Sequence, residues 1–240
     1  MNEYRLSIVI CAAFGVFMTA QSFAQRNEMP PGYPQSLEGD LRRLLAEQQE
    51  SGASPEFLVR LAETYFDLAD DLLTEKTKRL AAYEAGASAA KQAFEINDAN
   101  ADAHFFHAVN LGSAARLSGV TNAAMTVGTI KHCAQRAIEI NPRHAQALQM
   151  MGGLLMEIPW FLGGSERKAQ DFLERSISVD SNFANAHIML AKLYLKQGRR
   201  EAAKTQLETV VRLERPHYRY TWERKYKPEA ERLLKELSSS

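Results

Sequence analysis

Cysteine is nearly absent from the sequence, since the 240 residues hold only Cys11 and Cys133. Cys11 lies in an N-terminal stretch that we expect to be removed, which leaves one thiol and excludes an internal disulfide framework. Cys133 stands in the helical stretch "IKHCAQRAI", where a free thiol is expected to be buried and to behave as a small hydrophobe. The fold must therefore be held together by its apolar core.

An excess of charge of either sign is also missing. Lys+Arg and Asp+Glu both number 29, and the formal net charge is zero. This balance argues against a nucleic-acid-binding protein, which needs a strong cationic footprint, and against a chain held to membranes by its overall charge. The apolar content of 45% and the charged content of 24% are those of an ordinary soluble domain and exclude wholesale disorder.

Motifs of catalysis are lacking as well, because the sequence has no Gly-rich phosphate loop, no HExxH and no GxSxG. His104 and His107 have a spacing that metal sites use. However, His104 and His187 occupy equivalent positions of an internal repeat, which favours core or boundary histidines. We predict no enzyme, no catalytic residue, no metal and no cofactor, and rank a hydrolase or metal enzyme far behind a binding protein.

The N-terminus has the pattern of a secretory signal peptide over residues 1–24. Arg5 precedes the apolar run "LSIVICAAFGVFMTA", and "SFA" places small residues before a cleavage point after Ala24. The sequence thus predicts an exported protein, periplasmic or secreted, with no membrane span after cleavage; an uncleaved anchor is the alternative. A flexible Pro-rich leader, "QRNEMPPGYPQ", is predicted over 25–35.

Alternating β-branched stretches are absent from the rest of the chain, which reads as helix after helix. We predict an N-terminal helix over 36–53, capped by Ser36. A second helix should begin after Ser54 as N-cap, with Pro55 at its first position. Its apolar residues recur at helical spacing. The fold class is therefore all-α.

An internal repeat organises residues 54–216. Its clearest unit is "ANAHIMLAKLYLKQGRREAAKTQLETVVRLERP", and earlier segments align with it through one small residue in each first helix: Ala62, Ala108, Gly152 and Ala191. The pattern resembles the tetratricopeptide repeat (TPR), although the spacings of 46, 44 and 39 residues exceed its usual ~34. We predict a TPR-like α-solenoid of about four helical hairpins with extended intra-repeat loops.

Residues 217–240 follow the repeats and mix tyrosine and tryptophan with arginine and lysine. Such a mixture can bind nucleic acid or an anionic surface. We favour instead a linker whose aromatics dock, followed by a helix that starts at Pro228 and caps the last repeat.

The stretch "PWFLGGS" (159–165) interrupts the third unit. Pro159 ends a helix, two glycines permit a reversal, and Ser165 can cap the next helix. We favour a prediction in which Trp160, Phe161 and Leu162 fold back over the open end of the repeat and cover its core. The alternative places them as a lip on a binding cleft.

Three stretches, "GVTNAAMTV" (119–127), "AIEINP" (137–142) and "EIPWFLGGSERKAQDFLERSISVD" (157–180), carry a more specific resemblance. They resemble the T-component family associated with periplasmic TRAP transporters, over roughly residues 55–215. That resemblance implies a carrier of a hydrophobic small ligand working beside an uptake transporter.

In a TPR array the first helices line a concave face that binds partners. Transferred to this chain, the groove positions are Val59, Glu63, Phe66, Phe105, Val109, Gln149, Met156, Ile188, Lys192 and Leu195. These mostly apolar positions suit an apolar peptide, a partner helix or a small hydrophobic ligand, unless they merely pack on neighbouring segments. We predict first a periplasmic adaptor or scaffold for a protein partner, with the hydrophobic-ligand carrier as alternative; the oligomeric state is left open.

Overall fold

The computed structural model describes residues 29–239, without the side chains of residue 51 and residues 120–124. The predicted signal peptide, 1–24, lies outside the described residues, as do the first four residues of the predicted leader. From Met29 on, the leader forms turns, and Pro34 is buried where it meets the first helix.

The all-α prediction is confirmed, because the described residues contain helices and no strand. Within residues 29–239, ten helices have twelve residues or more: α1 Ser36–Ser51, α2 Pro55–Asp67, α3 Lys76–Ile96, α4 Ala101–Ser118, α5 Val120–Ile140, α6 Ala145–Glu157, α7 Glu166–Val179, α8 Ala184–Lys196, α9 Arg200–Arg212 and α10 Lys227–Ser238.

Side-chain caps fix several helix starts, as the sequence predicted at two of them. The hydroxyl of Ser54 accepts from the backbone N–H of Phe57 at 3.1 Å, and that of Ser165 accepts from Lys168 N–H at 3.3 Å. Each bond satisfies one of the N–H groups that a helix start leaves unpaired. The predicted cap at Ser36 is wrong, since Ser36 already lies inside α1 and the preceding Gln35 makes no side-chain cap.

The helices pack as four consecutive hairpins, α2/α3, α4/α5, α6/α7 and α8/α9. The small residues that defined the repeat, Ala62, Ala108, Gly152 and Ala191, are all buried. At Gly152 a Cβ atom would stand 2.7 Å from Cγ of Leu173 on α7. Small residues are thus required where paired helices cross closely, which explains why they recur once per unit.

The residues beyond a standard repeat are accommodated differently in each unit. In the first, α2 continues as a π-helical turn, Leu68–Leu72. In the second, Gly119 alone separates α4 from α5, with φ of +113°. In the third, residues 158–165 form a loop around the 3₁₀ turn Trp160–Leu162.

The core follows the stack of hairpins. The larger cluster runs from α5 to α10 and includes Leu173, Leu190 and Leu207, while a second runs from α2 to α6 around Leu58 and Ala90. The prediction for Cys133 is confirmed: it is a buried free thiol, and burial raises its pKa, which disfavours the reactive thiolate.

The C-terminal helix caps the array. Ala230 and Leu233 of α10 are buried in the larger cluster, and α10 packs mainly on α9. Trp222, just before it, is buried and donates from Nε1 to the carbonyl of Val210 at 2.9 Å. A terminal repeat needs such a cover to remove its apolar face from water.

Candidate functional site

The predicted groove positions lie on the first helices of the hairpins, α2, α4, α6 and α8. Phe105 and Ile188 are buried in the core, and Lys192 is exposed. The other seven are half-buried: Val59, Glu63, Phe66, Val109, Gln149, Met156 and Leu195. Their role in binding stays a prediction.

A segment between α9 and α10, residues 217–226, contacts the side of the array that these helices form, and we call it the strap. At its start, the backbone N–H of His217 donates to the carbonyl of Asn182 at 3.0 Å. Nδ1 of His217 lies 2.6 Å from Oδ2 of Asp180. Burial by itself would raise the pKa of Asp180, but the hydrogen bonds from His217 and from the Asn182 N–H outweigh it and hold the pKa below its usual value.

The middle of the strap touches α6 and the N-terminal turn. The hydroxyl of Tyr218 accepts from Nε2 of Gln146 at 3.1 Å. Tyr218 is the one non-glycine residue with positive φ, +56°, in the part of the chain that the structure describes. The next aromatic, Tyr220, packs edge-on against Tyr33 with 5.0 Å between ring centroids. The strap therefore reaches back to the beginning of the described chain.

The far end of the strap binds the first hairpin. Nζ of Lys225 lies 2.6 Å from Oδ2 of Asp70, and the hydroxyl of Thr221 lies 3.5 Å from Oδ1 of Asp71. Asp71 also accepts from the hydroxyl of Tyr33 at 2.5 Å. Burial raises the pKa of Asp71, although the Tyr33 hydrogen bond opposes this.

The chain then returns to α8 through Tyr226, which packs on the larger core cluster. Burial and the neighbouring carboxylates Asp70 and Asp71 raise the pKa of the Tyr226 phenol. Nζ of Lys192 pairs with Glu229 at 2.7 Å. Part of the predicted groove is therefore occupied by the chain's own C-terminal residues.

The sequence predicted that the tail aromatics dock, but it did not indicate where. The strap's partners Asp70 and Asp71 lie in the π-helical turn after α2, and nothing in local sequence spacing links them to Lys225. The one signal for this contact in the sequence was the complementary charge of Asp70-Asp71 and the basic stretch "RKYK" (224–227).

Beside the strap, a cavity of about 320 Å³ opens between the N-terminal turn, α1 and α2. Its walls include three tyrosine rings and three carboxylates: Tyr33, Tyr218, Tyr220, Asp40, Glu63 and Asp67. One predicted groove residue, Glu63, is thus placed in an actual concavity.

The histidines that could suggest a metal make protein contacts instead. His104 stacks on Phe94 at 4.6 Å, and its Nε2 lies 3.0 Å from the carbonyl of Asp98. The equivalent His187 has Nε2 3.1 Å from the carbonyl of Ser181, so both histidines tie a first helix to the loop before it. Across residues 29–239, no three His, Cys, Asp or Glu side chains gather as a metal-binding group.

The loop residues Trp160, Phe161 and Leu162 are exposed by 84%, 68% and 67%. The favoured prediction that they fold back over the core is wrong. The backbone N–H of Ser165 donates to the carbonyl of Leu155 at 3.0 Å, so the two ends of the loop meet over the hairpin. The side chains of Trp160, Phe161 and Leu162, which lie between these two ends, are therefore exposed to solvent.

Sequence comparison decides the family. Residues 31–160, more than half of the chain, match the family model described as Regulator of microtubule dynamics protein 1-3. The chain belongs to this family. A tetratricopeptide repeat model matches residues 164–220 of this member of the regulator of microtubule dynamics family, so the TPR prediction is confirmed.

Curated members of the family are recognisably similar. Regulator of microtubule dynamics protein 1 of Bos taurus is 28% identical over 207 residues, covering 79% of this chain and 64% of the cattle protein. The Pongo abelii protein of the same name is 31% identical over 173 residues, covering 65% of this chain and 54% of that one. The chain thus spans less than two thirds of the length of these relatives.

Solved structures agree on the fold alone. A thermophilic TPR protein of Thermus thermophilus superposes with a TM-score of 0.60 at 17% identity, covering 82% of this chain and 91% of that chain. MamA 41-end from Desulfovibrio magneticus RS-1 gives a TM-score of 0.50 at 15% identity, covering 75% and 86%. The fold of this regulator of microtubule dynamics family member is a TPR solenoid, an architecture that presents surfaces for protein–protein interaction.

The comparisons correct two predictions. The resemblance to the TRAP-transporter T-component family is not supported, because the matches point to the regulator of microtubule dynamics family. The predicted location, exported to a periplasm or secreted after cleavage at Ala24, is contradicted, because the matched relatives are eukaryotic proteins named as regulators of microtubule dynamics. None of the helices in residues 29–239 combines the length and the hydropathy that crossing a bilayer requires.

Proposed function

We propose that this chain is a non-catalytic adaptor that takes part in regulating microtubule dynamics by binding a protein segment along the concave side of its TPR array. The match of residues 31–160 to the family carries the microtubule part of the proposal. The solenoid carries the adaptor part, since stacked helical hairpins offer an extended inner surface and the histidines are engaged within the fold.

The proposed contact surface comprises the groove positions of α2, α4 and α6. Four of its apolar residues are half-buried, so part of each side chain remains accessible to a partner: Val59, Phe66, Val109 and Met156. Glu63 stands at the wall of the neighbouring cavity. Such a surface suits a helix or extended peptide with an apolar face. On α8, the groove position Lys192 already pairs with Glu229 of α10.

Glu63→Arg tests the surface without removing apolar contacts. We expect binding of the chain to stabilised microtubules, measured by co-sedimentation, to weaken about tenfold or more, as charge mismatch at a contact costs upwards of about 1.4 kcal/mol. The matched control is Glu84→Arg, the same charge change at an exposed position of α3, which should leave binding unchanged. Failure of the wild-type chain to bind microtubules or to alter tubulin assembly would remove the microtubule part. Equal weakening in both variants would remove the groove part.

A second candidate follows from the same half-buried apolar positions, namely a carrier of a hydrophobic small ligand. The transporter association implied by the sequence resemblance has no support from the comparisons. Organic extraction of the purified chain followed by mass spectrometry separates the candidates, because a carrier yields a stoichiometric apolar compound and an adaptor yields none.

A further inference from the structure

The loop tip Trp160-Phe161-Leu162, here called the finger, concentrates exposed apolar surface. The described residues expose seven large apolar side chains, and three of them stand side by side in the finger. Apolar patches on soluble proteins mark contact sites when they are contiguous rather than scattered. We therefore expect a partner to cover the finger.

The backbone holds the finger outward. The N–H groups of Leu162 and Gly164 both donate to the carbonyl of Pro159, at 2.9 and 3.1 Å. Gly163 has φ of +94°, and a Cβ atom at Gly164 would lie 1.7 Å from the carbonyl oxygen of Ile158. Only glycine fits the second position, where the turn folds back closely on its own backbone. The exposed side chains are presented by a defined structure.

All three side chains of the finger are exposed rather than recessed, which limits what the finger can bind. The rings of Trp160 and Phe161 pack edge to face with centroids 5.9 Å apart, and Leu162 completes a blunt apolar tip. A groove receives a helix or a peptide, whereas a protruding tip must itself enter something. An indole beside two fully apolar side chains is the composition that settles at the boundary between lipid headgroups and acyl chains.

Cations surround the base of the finger. Arg167 and Lys168 are exposed in the first turn of α7, and Nζ of Lys131 lies 3.9 Å from where a Cβ of Gly163 would be. None of the three forms an ion pair with another of the described residues. Among the nearby carboxylates, Glu166 is paired with Lys196 at 2.8 Å, while Glu157 is exposed. The local charge is therefore positive although the whole chain is neutral.

We propose that the finger inserts into the surface of a bilayer containing anionic lipids, with Trp160 at headgroup level and Arg167, Lys168 and Lys131 against the lipid phosphates. Apolar insertion and cationic attraction act together, and each is too weak alone for stable attachment. This inference is independent of the proposed groove.

Tryptophan fluorescence of the full chain tests it, since the chain has two tryptophans. Trp160 is exposed by 84%, whereas Trp222 is buried and hydrogen-bonded to Val210. Adding vesicles of phosphatidylcholine with about one third phosphatidylserine should shift the emission to the blue, and brominated acyl chains should quench it. Trp160→Phe should abolish both responses, since the remaining tryptophan is enclosed by protein. The readout is local to residue 160, so attachment through any other segment does not mimic it.

Two further variants measure the two contributions. Phe161→Ala with Leu162→Ala should raise the lipid concentration for half of the Trp160 shift by about tenfold. Arg167→Gln with Lys168→Gln should raise it about fivefold for each charge removed at low salt. Ile96→Ala, at an apolar residue 60% exposed at the end of α3, is the matched control and should have no effect.

The proposal is overturned if Trp160 emission neither shifts nor is quenched with anionic vesicles. An equal response to pure phosphatidylcholine would overturn the part assigned to the cations. A blue shift that appears without lipid as protein concentration rises, together with dimers in sedimentation, would show that a second copy of the chain covers the finger and would overturn the lipid assignment.

Discussion

At the scale of single residues, His107 links the fold to pH. Its Nδ1 lies 2.9 Å from the carbonyl of Ala87, and its ring meets that of Phe94 edge-on. Burial lowers the pKa of His107 from its ordinary 6.5; the charge of Lys91 and the neighbouring His104 add to the lowering, while the Ala87 carbonyl and Glu95 oppose it. The folded chain thus favours the neutral imidazole more than the unfolded chain does.

This shift makes stability fall in mild acid. Above about pH 6.5, His107 is neutral in both the folded and the unfolded chain, and its contribution to the free energy of unfolding is complete. As pH falls from 6.5 through the folded pKa of His107, the unfolded chain binds the proton first. We expect the free energy of unfolding to drop with a slope of at most about 1.4 kcal/mol per pH unit from this group. His107→Gln should flatten the slope in urea titrations between about pH 7 and 5, whereas His132→Gln, at an exposed position of α5, should not. An unchanged slope in the first variant would contradict the assignment.

At the scale of helices, two glycines in comparable mid-helix positions should respond in opposite ways to alanine. At Gly152 the added Cβ would meet Cγ of Leu173 at 2.7 Å and the carbonyl of Ala169 at 3.2 Å, whereas at Gly128 it would meet nothing within 4 Å. Gly152→Ala should destabilise the fold by about 1–3 kcal/mol through overpacking. Gly128→Ala should stabilise it by up to about 1 kcal/mol through helix propensity. Urea unfolding measures both, and stabilisation by Gly152→Ala would mean that α6 and α7 cross less closely than described.

The helices themselves were largely predictable because their determinants are local. Ser54 and Ser165 cap the helices that the sequence assigned to them, and the small residues at 62, 108, 152 and 191 marked the crossings, since a close crossing excludes larger side chains. The loop at 160 was misjudged for a physical reason as well. Hydrophobicity predicts burial, but a turn closed by its own backbone leaves its side chains no path to the core.

At the scale of the whole molecule, the strap changes how the array is held together. A TPR array is normally stabilised by neighbouring units alone. Here Lys225 joins Asp70 across 155 residues, and Thr221 meets Asp71 across 150. Such a link escapes sequence reasoning, because neither helical periodicity nor capping encodes a pairing so distant. For the same reason, TPR geometry did not indicate that the groove position Lys192 pairs with Glu229 of α10.

A double-mutant cycle on Lys225→Met and Asp70→Asn should give a coupling of about 0.5–1 kcal/mol, as the two side chains are partly shielded from water. Hydrogen exchange of residues 217–226 should become about fivefold faster in either variant while the hairpin cores keep their protection. Arg232→Met, which breaks an exposed pair within α10, is the control and should leave strap exchange unchanged. If the hydrogen-exchange rate of residues 217–226 is the same in Lys225→Met as in the wild type, the tyrosines alone hold the strap.

The edge-to-face contact of Tyr33 and Tyr220 has a chemical consequence. Phenols this close couple when each loses one electron and one proton to a photochemical oxidant. The carbon–carbon bond so formed would join Tyr33, near the beginning of the described chain, to Tyr220, which precedes α10. The product would be a closed loop of 188 residues, counted from 33 to 220 inclusive, that fluoresces as dityrosine and migrates as a compact species even after unfolding.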